Sequence, residues 1–160
     1  MKKAQPWIGL LVRLGLGGVL LYAGYLKAFS PDKSMMAVRA YELLPIWLAN
    51  AFGIILPWLE MGAGLLLIVG VAVRYAAIFG AGLMVAFIIA IAQAWARGLS
   101  IDCGCFGDGG AVDPSETKYL ESILRDIGFA LLGFYLIRYP VTKFALEKNK
   151  SLQQKPTPGE

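Results

Sequence analysis

Four apolar runs, each long enough to cross a bilayer, decide what this chain can become. A spanning helix needs about 20 apolar residues at about 1.5 Å each. The runs lie at about 7–29, 46–71, 75–97 and 115–138. Hydrophobic residues make up 58% of the chain and charged residues 16%, whereas a soluble domain carries about a quarter charged residues. The residues therefore predict one domain over 1–142, an all-α integral membrane protein folded as an up-down bundle of four transmembrane helices.

The first run is preceded by Met1-Lys2-Lys3, as a signal peptide would be, but Trp7 to Phe29 exceeds the roughly 7–15 residues of a signal core. Leu26-Lys27-Ala28-Phe29 also lacks a small-x-small cleavage site. The run is read as a retained first span. Ser30 and Pro31 suit the cap and first position of a new helix, so 31–44 is read as a short interfacial helix. Pro57 inside the second run predicts a kink near 53–57, and Gly70 to Arg74 leaves room only for a tight turn. Ala76 with Gly80, and Ala77 with Ala81, are small residues four apart that allow close helix packing. Ser115 is read as the cap of the last run, and 143–160 as a disordered basic tail.

Basic residues set the orientation. Lys2, Lys3, Arg74, Arg138, Lys143, Lys148, Lys150 and Lys155 fall on one side of the bundle. Lys33, Arg39, Arg97 and Lys118 fall on the other, offset by Asp32, Glu42, Asp102, Asp108, Asp113 and Glu116. The first side is expected to be cytoplasmic, with both termini inside. The loop 98–114 then faces the periplasm of a bacterial inner membrane, where disulfides persist. The net charge of +4 is accounted for by helix ends and tail, and no nucleic-acid partner is expected.

That loop holds Asp102-Cys103-Gly104-Cys105-Phe106-Gly107, with the two cysteines of the chain one residue apart. A disulfide accepts Cα separations of about 4.4–6.8 Å, so the pair can close only if Gly104 bends. So small a ring closes almost no chain and adds little stability, while a strained, exposed disulfide is a good oxidant. Redox exchange is the preferred reading of Cys103 and Cys105. Two inert thiols, or half of a tetrahedral metal site, are the alternatives, and without histidine nothing obvious completes a metal site. The absence of histidine also excludes serine/histidine and cysteine/histidine triads within this chain. Asp102 opposes a thiolate at Cys103, and Arg97 or Arg125 is expected to offset it.

Arg13, Glu60, Arg125 and Asp126 fall inside the runs, where charges are costly and usually pair. Helical rise puts Arg13 roughly 9 Å, Glu60 roughly 15 Å and Arg125 roughly 21 Å from the cytoplasmic side. Glu60 is therefore expected to meet Arg13 or Arg125. With Arg125, and with Gln93 near the outer end of the third run, it would form a polar cavity below the cysteines. That cavity would relay a proton or hold a quinone head group; a plain register-fixing ion pair is the competing reading.

These residues resemble the DoxX-like membrane family in its methylamine-utilisation MauE-type branch. The resemblance covers about 7–138 and rests on Leu56-Pro57-Trp58-Leu59-Glu60, the Gly70 to Ala77 turn, and above all Asp102-Cys103-Gly104-Cys105-Phe106-Gly107. Arg125-Asp126 stands where that family often carries Arg-Asn. The resemblance implies a redox-associated inner-membrane protein. MauE-type proteins are linked to maturation of a disulfide-rich methylamine dehydrogenase, and other DoxX-like proteins to thiosulfate oxidation with quinone. A looser likeness runs to DsbB and vitamin K epoxide reductase, which carry more than one cysteine pair where this chain has one. The expected partners are a periplasmic thioredoxin-like protein or a disulfide-containing client, with quinone as electron acceptor. An accessory or assembly factor for such a dehydrogenase is the alternative. A small-molecule transporter is third, with a homodimer able to build its pathway.

Overall fold

The computed structural model describes residues 5–104 and 109–140. Cys105, Phe106, Gly107 and Asp108, and the tail expected at 143–160, lie outside the described residues. Among the described residues there are five α-helices: α1 (Gln5–Ala28), α2 (Pro31–Ala40), α3 (Ile46–Val69), α4 (Val73–Ala96) and α5 (Tyr119–Arg138). A short antiparallel hairpin, β1 (Ile101–Asp102) and β2 (Gly110–Ala111), lies between α4 and α5, with Asp102 opposite Gly110.

Among the described residues three helices, α1, α3 and α4, are long and apolar enough to cross a membrane. Their outward faces stay apolar, as Leu11, Trp58 and Ile89 show, so lipid is the solvent they fit. The chain is a multi-pass membrane protein built as a helical bundle. The expected fourth run is α5, 20 residues long. Glu121, Arg125 and Asp126 leave it less apolar than the others, although it packs along α4 and touches α1. It also starts later than expected. Pro114–Glu116 make a 3-10 turn, Thr117 is extended, and Lys118 rather than Ser115 stands at the cap. The proline drives that change, because it fixes one tight turn and the extended Thr117 then breaks the helical path.

Small residues bring the helices together. A Cβ placed on Gly17 of α1 would lie 3.0 Å from the Gly64 carbonyl of α3, and one on Gly24 would lie 2.7 Å from the Pro57 carbonyl. Between α4 and α5, a Cβ on Gly133 would lie 2.8 Å from the Ala81 Cβ, so the Ala77/Ala81 stripe is a packing surface. Gly70 ends α3 in the left-handed region at φ 79° and donates its N–H to the Leu66 carbonyl, which makes the tight turn into α4.

The α2 helix folds back onto the first half of α3, and Pro57 explains what it does there. Proline has no N–H, so the Gly53 carbonyl four residues earlier loses its helical donor. The hydroxyl of buried Ser34 on α2 donates to that carbonyl at 2.7 Å. Gly53 has no side chain to hold α2 away; a Cβ there would lie 2.7 Å from the Met35 Cα. The helix runs on through Pro57 with its freed carbonyl satisfied. Ser30 and Pro31 take the cap and first positions of α2 as expected, but the Ser30 side chain makes no capping bond. Ser34→Ala should cost about 1–3 kcal/mol, the penalty for a buried acceptor left without a donor. Thermal unfolding in detergent would show it as a lowered midpoint, and an unchanged midpoint would remove this role from Ser34.

Candidate functional site

The hairpin brings Cys103 directly after β1, beside the end of α4 and the start of α5. Three side chains fix its backbone. Tyr41, at the end of α2, donates its hydroxyl to the Cys103 carbonyl at 2.9 Å. Tyr119, the first residue of α5, accepts the Ile101 N–H at 3.0 Å and donates to the Leu99 carbonyl. Asp102 accepts the Gly104 N–H on Oδ1 at 3.2 Å. Gly104 adopts φ 65°, so the bend expected of this residue is present. Asp102 therefore shapes the turn beside the sulfur.

Arg125 supplies the positive charge at the sulfur. Its Nη2 lies 3.5 Å from Cys103 Sγ, and its Nε and Nη2 both donate to Asp126 Oδ1 at 3.1 Å. Arg97, the other candidate, is used elsewhere. It pairs with Glu42 at 2.8 Å and donates to the Tyr41 carbonyl at 3.3 Å. Gln93 donates to the same carbonyl at 3.0 Å. Gln93 thus holds the α2–α3 elbow, where it supports Tyr41, and is not among the residues lining the cavity of Glu60 and Arg125.

A cleft of about 220 Å³ opens beside Cys103, lined by Ile101, Asp102, Lys118, Tyr119, Glu121, Ser122 and Arg125. Beneath it lies a smaller, mostly apolar cavity of about 20 Å³, bordered by Lys27, Glu60, Phe87, Arg125 and Asp126 among others. Arg125 belongs to both. The expected contact of Glu60 with an arginine is corrected here. Lys27 donates to both carboxylate oxygens of Glu60, at 2.8 and 2.9 Å, and its ammonium lies 5.2 Å from the centre of the Phe87 ring. Both members of this pair are buried. The reason is the close α1–α3 packing at Gly24, which brings Lys27 within reach of Glu60. Arg125 pairs instead with its neighbour Asp126, and Arg13 is buried nearer the start of α1.

Lys27, Tyr41 and Tyr119 are the residues that sequence reasoning missed. Lys27 had a signal, since a lysine in a run that Ser30-Pro31 turns back on itself cannot be assumed to reach water. The tyrosines had none beyond their place at helix ends.

Together these features define a multi-pass helical membrane protein with a cysteine-bearing hairpin seated over buried, paired charges. A family model described as "Methylamine utilisation protein MauE" matches residues 5–139. The methylamine utilization protein MauE of Methylorubrum extorquens is 42% identical over 136 residues, covering 83% of this chain and 70% of that protein. The protein of the same description from Methylophilus methylotrophus is 38% identical over 140 residues, covering 86% of this chain and 71% of its own. The chain belongs to the MauE family. No solved structure matches it.

Proposed function

We propose that this protein exchanges disulfides on the outer face of a bacterial inner membrane, in the service of methylamine utilisation or a related periplasmic oxidation. The observation that supports this best is the Arg125 guanidinium 3.5 Å from Cys103 Sγ, at the edge of an open cleft. A fixed positive charge there stabilises a thiolate, which is the form that attacks disulfides. In this reading four helices span the membrane, both termini are cytoplasmic, and Cys103 and Cys105 face the periplasm.

The exchange balances as follows. A dithiol on a thioredoxin-like partner or client attacks the Cys103–Cys105 disulfide, passes through a mixed disulfide, and leaves oxidised. Two electrons and two protons move to the Cys103/Cys105 pair. A membrane quinone then takes two electrons and two protons to become quinol, and the disulfide re-forms. The inner cavity has room for about one water, so the quinone ring belongs in the wider cleft, where Arg125 reaches it. Glu60 is left with a role in holding Lys27 and the charge balance around Arg125.

The test is exchange with a reduced periplasmic thioredoxin-fold protein, using the full chain in native membranes. Wild type should oxidise the substrate, and Cys103→Ser and Cys105→Ser should each abolish this. Retained activity in Cys105→Ser would refute the dithiol cycle. A stable complex with a dehydrogenase client that survives loss of both cysteines would favour the assembly-factor reading. A membrane-impermeant maleimide applied to whole cells reports the side: labelling supports the periplasmic loop, and protection until lysis contradicts it.

A further inference from the structure

The charged groups that line the inner cavity add up to zero. Lys27 and Glu60 form one closed pair, in which both carboxylate oxygens are bonded. Arg125 and Asp126 form a second pair that is not closed. Asp126 is 2% exposed, its Oδ1 accepts from Arg125, and its Oδ2 has no hydrogen-bond partner among the described residues. The same guanidinium that holds Oδ1 also reaches Cys103 Sγ at 3.5 Å. One cation therefore serves two acidic groups, one of which changes charge when the cysteine pair changes redox state.

We propose that Asp126 is the proton acceptor coupled to reduction of the cysteine pair, with Arg125 as the shared counter-ion. This rests on the redox reading given above. In the disulfide state Cys103 carries no charge, and Arg125 neutralises Asp126. Reduction by a dithiol delivers two electrons and two protons. One proton stays on the Cys105 sulfur. Cys103 becomes a thiolate, draws on the Arg125 charge, and leaves the second proton to Asp126. The quartet plus sulfur then returns to zero net charge, and no uncompensated charge is buried. Oxidation by quinone reverses both steps and releases the Asp126 proton together with the Cys105 proton.

The charged groups around Asp126 are Lys27 from α1, Glu60 from α3 and Arg125 on its own helix, and Arg125 in turn reaches Cys103 of the hairpin. The neighbours from α4, Met84 and Phe87, bring no charge. Glu60 is the rival acceptor, but Lys27 occupies both of its oxygens, and Glu60 does not share the guanidinium bonded to the sulfur.

Redox-difference infrared spectroscopy tests this on the full chain in lipid nanodiscs. Reduced dithiothreitol and its oxidised disulfide form serve as the couple, so no partner protein is needed. Reduction should bring up the carbonyl stretch of a protonated carboxyl in wild type. The band should be absent in Asp126→Asn and in Cys103→Ser, and should persist in Glu60→Gln. If Asp126→Asn does not fold, Asp126→Glu serves instead, and its band should move in frequency. No band in a wild-type sample whose cysteines cycle overturns the proposal and leaves the redox reading intact. A band lost only in Glu60→Gln, or unmoved in Asp126→Glu, overturns it in favour of another acid. Mass-tagging of the thiols that shows no cycling at all brings down both readings.

Discussion

Replacing Arg125 by glutamine should slow alkylation of Cys103 by roughly ten-fold or more at neutral pH. A cation in contact with a thiol favours its thiolate form, and the thiolate is the reacting species. The guanidinium is partly exposed, so solvent screening keeps the effect at about ten-fold. The measurement is best made in a Cys105→Ser background, where Cys103 is the single thiol. Arg125→Lys should keep most of the rate, because it keeps the charge while losing the two-point grip on Asp126. Equal rates for wild type and Arg125→Gln would mean that the contact is only one of packing, and the electrostatic basis for exchange chemistry would fall.

The largest loss of stability should come from Lys27→Met. Glu60 is 1% exposed, and Lys27 reaches both of its oxygens. Removing one member of a buried pair leaves an uncompensated charge and costs about 3–5 kcal/mol. The double variant Lys27→Met with Glu60→Leu should regain most of that loss, because apolar side chains of similar size suit the site. Unfolding in detergent, followed for the two single variants and the double, separates the outcomes. A Lys27→Met protein as stable as wild type would show that water reaches Glu60 and that the pair is not buried in practice.

Much of the bundle was legible because membrane helices state themselves in long apolar runs. The ends of α1, α3 and α4 fall within a few residues of their expected limits, and Pro31 and Gly70 mark boundaries by simple backbone chemistry. The small residues of α4 marked it for close packing, though not which helix they meet: Ala81 meets α5 and Gly80 meets α1. Glu60's partner was not legible, for a specific reason. Depth reckoned from helical rise treats each helix as a rod ending at the surface. Here Lys27 is buried against α3 and held by Glu60, where a rod would have placed it at the rim. The start of α5 was missed because Ser115 resembles a cap, whereas Pro114 imposes a separate turn. At the site, the sequence offered Arg97 and Arg125 as equal candidates for the sulfur. Only the fold of the α2–α3 elbow, which claims Arg97 through Glu42 and the Tyr41 carbonyl, decides between them.

The clamps on Cys103 carry a stereochemical consequence. Its carbonyl is tied to Tyr41, the preceding turn to Tyr119, and the following amide to Asp102. With the main chain pinned on both flanks, the sulfur moves mainly by rotation about its own Cα–Cβ bond. Thiol–disulfide displacement needs the three sulfurs close to one line. In the exchange proposed above, a partner would have to bring its own sulfur along the few directions that rotation leaves open, and selectivity among client thiols would become a question of approach angle.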